Sequence, residues 1–321
     1  MTAPRSPRFI QRYHADSAVE RAQAQAGLAA EPASASPKLF YDSLGSRLFE
    51  AITELPEYYP TRTEAAIVAQ HGAEMALRIG AGSALLDLGA GNCAKAQALF
   101  PLLEPRRYIA VDISVDFLHD ALRRIQREHP QLDVTGLGLD FSSALDLPEG
   151  LLAGERPVFF YPGSSIGNFA PVEALVFLRD VRLHATGGGL LIGVDLVKPA
   201  DVLQAAYDDP VGVTAAFNRN LLRRLNQLID SDFNPAQWDH VGLYNAGLSR
   251  IEMHLQARET LVVRWPDGSR RFMAGERLHT ENSYKYTLAG FRDLLLQAGF
   301  DEPQHWTDAR DWFAVFWAPA G

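Results

Sequence analysis

The chain has 321 residues, 47% of them hydrophobic and 21% charged, with a formal charge of −9. That length allows two domains and that composition is ordinary for a globular protein, which excludes extended disorder outside the termini. The acidic balance excludes a nucleic-acid backbone as the main partner, because phosphate binding needs clustered Lys and Arg, and Arg264, Arg270, Arg271 and Arg277 read as a solvated face among strand-like residues.

Residues 1–38 are polar, alanine-rich and partly helical, with a Pro/Ser/Ala break at 31–38. Phe40, Tyr41, Leu44, Leu48, Phe49, Ile52 and Leu55 then recur at helical spacing. Pro56 and Pro60 around the paired Tyr58 and Tyr59 predict an extended loop, with Thr63 capping a helix that starts at Glu64. Helix and strand patterns alternate from there, with strands expected at 84–88, 108–112, 134–139, 157–161 and 189–195, as in a parallel sheet. Residues 197–286 read differently, with helices at 202–206 and 213–229 followed by antiparallel strands at 249–255, 259–265 and 270–273. The alternation resumes with Thr287 capping a helix through Leu295 that ends at Gly299, and a last strand at 312–318. The 197–286 segment is therefore an insertion in an α/β domain, and no internal repeat is visible.

The segment Leu85-Leu86-Asp87-Leu88-Gly89-Ala90-Gly91-Asn92-Cys93 breaks a buried-strand pattern into a glycine turn and a helix. Glycine lets backbone approach a ligand that a Cβ would exclude, and Asp112, at the next strand end, can accept two hydrogen bonds from a ribose diol. This layout could serve NAD or S-adenosylmethionine, since Ala94 would pass at the third glycine position of a dinucleotide fingerprint. Asp87, two residues before the first glycine, favours S-adenosylmethionine: a carboxylate there can hold the methionine amino group and would repel a pyrophosphate. Asp140-Phe141, ending a third strand, supplies an acid and an aromatic for an adenine amino group and ring. An Asp-x-Gly-x-Gly string is also compatible with a simple tight turn; acids at successive strand ends favour the cofactor.

The single cysteine, Cys93, excludes an internal disulfide and fits a reducing compartment. Placed in the glycine turn without a paired base, it reads as a wall of the cofactor site and not as a nucleophile. The basic N-terminus has no apolar core after it, and no apolar run approaches membrane-spanning length, so a cytoplasmic protein is expected. The nine histidines show no metal-ligand spacing and no metal is expected.

Several strings together carry a resemblance: Phe40-Tyr41-Asp42, Gly45-Ser46-x-Leu48-Phe49, Leu55-Pro56-Glu57-Tyr58-Tyr59-Pro60-Thr61-Arg62-Thr63-Glu64, Gly163-Ser164-Ser165-Ile166-Gly167-Asn168-Phe169 and Glu281-Asn282-Ser283-Tyr284-Lys285. From about residue 10 to the C-terminus the chain resembles the L-histidine Nα-methyltransferases of ergothioneine biosynthesis. The resemblance implies trimethylation of the α-amino group of L-histidine to hercynine, with S-adenosyl-L-homocysteine as by-product. It implies a Rossmann-like class I S-adenosylmethionine-dependent methyltransferase domain (63–196 and 287–321) with an inserted α+β substrate-binding or lid domain (9–62 and 197–286), working as a monomer. It places Tyr58, Asn168 and Tyr207 around the amino-acid backbone, Glu281 and Ser283 on the imidazole, and Met253 in the same wall. Tyr41, Gly89, Lys95, Asp112, Asp140 and Phe141, with Asp87 and Gly163, fall on the cofactor side or at its border with the substrate; Tyr41 and Asn168 are the catalytic pair. The turn here reads Gly89-Ala90-Gly91-Asn92-Cys93-Ala94-Lys95, where the family has a Thr-Ser-Glu-like middle, and Tyr161-Pro162 also departs from its pattern.

The chemistry of the residues agrees. Methyl transfer from a sulfonium is an in-line displacement, so positioning dominates. A free α-amino group is mostly protonated at neutral pH, and a Tyr or Asn acceptor binds it without stabilising the ammonium as a carboxylate would. The i, i+2 spacing of Glu281 and Ser283 on a strand puts both on one face, where a carboxylate and a hydroxyl can hydrogen-bond the two imidazole nitrogens. From spacing alone Glu281 and Ser283 also fit surface strand positions, Tyr58 and Met253 fit packing, and Asn168 fits a helix cap. Two competing readings remain: an Nα-methyltransferase for tryptophan or tyrosine, and a cofactor-binding module without catalysis.

Overall fold

The computed structural model describes residues 5–12, 17–113, 115–142 and 144–321, without the side chains of 115–117. Parts of the predicted polar N-terminal stretch, 1–4 and 13–16, lie outside that description. The elements in chain order are β1 (Arg8–Gln11), α1 (Ser17–Ala29), α2 (Ser43–Thr53), α3 (Tyr59–Ile79), β2 (Ala84–Leu88), α4 (Ala94–Leu103), β3 (Arg107–Asp112), α5 (Val115–Glu128), β4 (Asp133–Gly138), β5 (Pro157–Tyr161), α6 (Pro171–His184), β6 (Gly188–Asp195), α7 (Ala200–Ala205), α8 (Val213–Ile229), β7 (Trp238–Asn245), β8 (Arg250–Ala257), β9 (Leu261–Trp265), β10 (Gly268–Phe272), β11 (Arg277–Tyr284), α9 (Leu288–Gln297), β12 (Gln304–Thr307) and β13 (Phe313–Ala320). They form two compact units, one from the described residues of 1–14, 60–197 and 285–321, the other from those of 15–59 and 198–284.

The first unit is built on one sheet of order β1-β4-β3-β2-β5-β6-β13-β12. The strands from β1 to β6 pair in parallel, and β13 runs antiparallel to β6 and to β12. Strands β2 and β5 are buried at every position, as a parallel strand covered on both faces must be. One face packs Leu86, Leu88, Ile109, Phe159 and Ile192, and the other packs Leu85, Tyr108, Val158 and Leu191. The order reverses between β2 and β5, which makes the carboxyl ends of those two strands the topological switch point of a doubly wound sheet. This is the class I methyltransferase architecture.

Strand β1 is not legible in the sequence, because it is a four-residue, mostly exposed edge, Arg8-Phe9-Ile10-Gln11, with no apolar alternation. It is accommodated by Gly136 of β4, where a Cβ would come within 2.8 Å of the Phe9 ring. The expected loop across Pro56–Glu64 is also corrected: α3 already begins at Tyr59. Pro60 is its second residue, where no intrahelical N–H bond is required, so the proline starts the helix and Thr63 lies inside it, not at its cap.

The second unit packs α1, α2, α7 and α8 with a three-stranded antiparallel sheet, β11-β8-β7, and the β9–β10 hairpin. Helix α8 starts where the Asp209 carboxylate accepts the N–H groups of Gly212, Val213 and Thr214 at 2.7–3.0 Å. It buries Phe217, Leu221, Leu222 and Leu225, and Phe40 stacks on Phe217 with ring centroids 4.5 Å apart. Strands β7 and β11 were missed as full strands, since only the Glu281 region of β11 read as strand-like. Among the described residues no helix is long and apolar enough to cross a membrane.

Candidate active site

In the first unit, the chain leaves β2 through Gly89 and Gly91, both at positive φ (71° and 51°), and Cys93 at φ 62° precedes α4. Space is left on this turn: a Cβ on Gly89 would meet only the Phe141 ring edge, at 3.7 Å. The turn is fixed from the next strand by Asp112, whose Oδ2 accepts the Gly91 N–H at 2.9 Å. Asp112 therefore holds the glycine turn as well as sitting at the strand end where a ribose is expected. Asp140 Oδ1 accepts both the N–H and the hydroxyl of Ser142, at 3.2 and 2.6 Å, and Phe141 meets Tyr161 edge-on at 5.8 Å.

Asp87 is 2% exposed. Its Oδ2 accepts a 2.7 Å hydrogen bond from the Tyr108 hydroxyl, while its Oδ1 is buried with no partner. Burial, helped by Asp112, pushes its pKa up from 3.8 to about 7, against the opposing pull of Tyr108 and Lys95. A half-satisfied buried carboxylate beside an open glycine turn fits a ligand that brings a cation, and the ammonium of an S-adenosylmethionine amino-acid end has that chemistry. Cys93 is buried in the apolar layer with Ala96, Leu99 and Phe100, and burial pushes its thiol up to about 12. It packs the core beneath the turn and is no nucleophile.

Beyond β5, on the other side of the switch point, Gly163 (φ 76°) and Ser164 (φ 62°) lead into a short 3-10 turn, Ser165–Asn168. Asn168 is half-buried and ends that turn; it does not cap α6, whose first turn is closed by the Glu173 carboxylate on the Ala170 N–H at 2.8 Å. Lys95 and Gly163 are brought together, the ammonium lying 3.0 Å from where a Gly163 Cβ would be.

The second unit gathers the residues assigned to the amino acid except Asn168, which belongs to the first, and it also holds Tyr41, assigned to the cofactor side. Strands β11 and β8 pair Leu278 with Leu255 and His279 with His254, then slip so that Glu281 faces Met253 and Ser283 faces Ile251. Thr280 is the extra residue of this bulge, and its hydroxyl donates to the Met253 carbonyl at 3.0 Å. Without the bulge Thr280 and Asn282 would occupy the face that Glu281 and Ser283 now share. The Tyr207 hydroxyl donates to Ser283 Oγ at 2.8 Å, and the Tyr207 and Tyr58 rings meet edge-on at 6.2 Å. Tyr41 joins through Phe49, which meets Tyr41 at 6.0 Å and Tyr58 at 6.1 Å. Glu281, Ser283, Met253 and Tyr58 are each at least nine-tenths buried, which removes the surface-strand alternative for Glu281 and Ser283.

Sequence reasoning missed the residues that hold Tyr207. Its carbonyl accepts from His240 Nε2 at 2.7 Å, and Asn218 Nδ2 lies 2.8 Å from His240 Nδ1 and donates to the His254 carbonyl at 3.0 Å. Both amide hydrogens of Asn218 are thus used and His240 is fixed as the neutral Nε2–H tautomer. Gly242, opposite Met253 on β7, leaves room for the same carbonyl, since a Cβ there would sit 2.7 Å from it. No sequence spacing signals these contacts. Among the described residues no cluster of three or more His, Cys, Asp or Glu is arranged to hold a metal ion.

The chain is similar to proteins already known. The model of the family described as "Histidine-specific methyltransferase, SAM-dependent" matches residues 20–320. A histidine N-alpha-methyltransferase of Mycolicibacterium smegmatis is 40% identical over 92% of this chain and 93% of its own. Ergothioneine biosynthesis protein 1 of Neurospora crassa is 30% identical over 84% of this chain, which corresponds to 31% of that larger protein. Among solved structures, an S-adenosylmethionine-dependent methyltransferase from Clostridium acetobutylicum is similar with a TM-score of 0.46 and 12% identity, covering 87% of this chain and 96% of its own. With a family match spanning nearly the whole sequence, this chain belongs to the histidine-specific, S-adenosylmethionine-dependent methyltransferases.

Proposed function

We propose that this protein trimethylates the α-amino group of L-histidine, giving hercynine and S-adenosylhomocysteine, as the first step of ergothioneine biosynthesis. The observation that carries the reading is the Glu281–Ser283–Tyr207 group, in which a buried carboxylate and a buried hydroxyl share one face of β11 beside a tyrosine. A buried carboxylate without a hydrogen-bonding side chain opposite it is costly, so indole and phenyl side chains are disfavoured relative to imidazole.

When bound, S-adenosylmethionine supplies a methyl carbon on a sulfonium, which the amine lone pair takes as the carbon–sulfur bond breaks. The protein's part is to hold and orient. In this reading Gly89, Asp112, Asp140 and Phe141 receive the nucleoside end, and Asp87, Lys95 and Gly163 receive the amino-acid end. Tyr58, Asn168 and Tyr207 hold the histidine backbone, with Met253 walling the imidazole pocket. In the same reading Tyr41 and Asn168 serve as neutral acceptors for the reacting nitrogen, so the ammonium formed by each of the first two transfers is not trapped by a carboxylate and can lose its proton to water before the next. We take the enzyme to act as a monomer in the cytoplasm. Thermal shift tests the assignment: S-adenosylhomocysteine with histidine should raise the melting temperature beyond either alone, whereas no response to histidine would contradict it.

A further inference from the structure

The proline-tyrosine string ends in Glu64, a residue that no functional role yet explains. Glu64 lies in the second turn of α3 and is 4% exposed. Its Oε2 accepts from the Lys95 ammonium at 2.7 Å, and its Oε1 accepts from the Gly163 N–H at 2.9 Å. Thirty-one residues separate Glu64 from Lys95 and ninety-nine from Gly163, so the carboxylate joins the start of α4 to the turn after β5, the two segments that flank the switch point. Room for it is built into the sheet: a Cβ on Gly193 of β6 would sit 2.0 Å from Glu64 Oε1. An ion pair between this buried carboxylate and a partly exposed ammonium is weak evidence for stability, because desolvation of the carboxylate and solvent screening of the lysine offset most of their attraction. A carboxylate that spans an ammonium and a backbone N–H instead fixes geometry, leaving the Lys95 side chain one direction and the Gly163 turn one orientation.

We propose that Glu64 is a positioning residue of the cofactor site, holding Lys95 and the Gly163 turn in the arrangement that receives the amino-acid end of S-adenosylmethionine. The proposal rests on the reading of Lys95 and Gly163 as cofactor contacts. Glu64 need not touch the cofactor; it acts through Lys95. Its loss should therefore appear in cofactor affinity and not in the chemical step, and should disappear when Lys95 is already absent.

The test is a double-variant cycle read by calorimetric titration of S-adenosylhomocysteine into the full-length protein, with melting temperature as the folding control. Glu64→Gln is expected to weaken binding about tenfold and to raise KM for S-adenosylmethionine while kcat stays within about twofold. In the Lys95→Met background the same substitution should cost less than about twofold, because its effect is already lost. Unchanged or tighter binding in E64Q, or an equal penalty with and without Lys95, would overturn the proposal. Should E64Q not fold, Glu64→Asp keeps the charge but falls one methylene short of its two partners; weakened binding supports the proposal, and wild-type affinity overturns it. If the unmodified protein does not bind S-adenosylhomocysteine at all, the underlying reading of the site fails instead.

Discussion

The Tyr207 hydroxyl donates a 2.8 Å hydrogen bond to Ser283 Oγ, while the backbone carbonyl of the same tyrosine is held by His240 at 2.7 Å. Tyr207 is thereby anchored at both ends. Removing the hydroxyl should loosen the ring and leave Ser283 free to turn away. Tyr207→Phe is expected to raise KM for histidine about five- to tenfold, the size of one lost hydrogen bond, without altering S-adenosylhomocysteine affinity. Steady-state kinetics with each substrate varied in turn measures this, and an unchanged histidine KM would remove the pair from substrate binding.

Gly242 is the second handle on Tyr207. A methyl group at this position would meet the Tyr207 carbonyl at 2.7 Å and push it off the His240 N–H. Gly242→Ala should destabilise the protein by about 1–3 kcal/mol, as overpacking of a close contact does. It should also raise the histidine KM in the same direction as Tyr207→Phe. Thermal melting with kinetics on the same sample checks both, and an unshifted KM would mean that the carbonyl contact does not control the ring.

In the proposed function Glu281 sets the choice of side chain. Glu281→Ala should weaken histidine binding at least about a hundredfold, because the site then lacks an acceptor for the imidazole N–H, while leaving cofactor affinity within about twofold. Titration of histidine into protein saturated with S-adenosylhomocysteine reads the effect. Unchanged histidine affinity would take Glu281 out of the pocket.

If Asp87 holds the cofactor ammonium, as proposed, cofactor binding is pH-dependent. Burial first, with Asp112 nearby, raises its folded-state pKa from 3.8 to about 7, so the ligand-free protein prefers the neutral acid. The stability this contributes is fully present below pH 3.8 and is lost as pH rises through about 7. A ligand ammonium requires the carboxylate, so S-adenosylhomocysteine affinity should climb between about pH 5.5 and 7.5, at most about tenfold per pH unit. Asp87→Asn should flatten that profile, weaken binding, and raise the melting temperature of the ligand-free protein at about pH 8 relative to wild type. A wild-type affinity independent of pH across this window would contradict the assignment of the ammonium to Asp87.

The parallel sheet was legible because its strands are buried on both faces, so 84–88 and 157–161 read as unbroken apolar runs bounded by turns. The glycine turn was legible for the same local reason, since Gly89, Gly91 and the acids Asp112 and Asp140 follow strand ends at fixed distances. Strand β1 was hidden because an exposed edge strand carries no apolar alternation. The start of α3 was hidden because Pro60 signals a loop and a helix first turn equally well. The bulge at Thr280 cannot be read from β11 alone: it arises from pairing with β8, and it decides that Glu281 and Ser283, and not Thr280 and Asn282, stand opposite Met253 and Ile251. Contacts such as Glu64 with Gly163, or His240 with Tyr207, join residues far apart in sequence with no shared pattern, and only the folded chain brings them together.

Mass spectrometry of the products formed when the purified protein is incubated with S-adenosylmethionine and each standard amino acid in parallel decides whether histidine is the substrate. Trimethylated product is expected from histidine alone, abolished or strongly reduced in Glu281→Ala. Product from tryptophan or tyrosine instead would contradict the imidazole pocket while keeping the fold, and no product from any amino acid would contradict the assignment of this chain as a working methyltransferase.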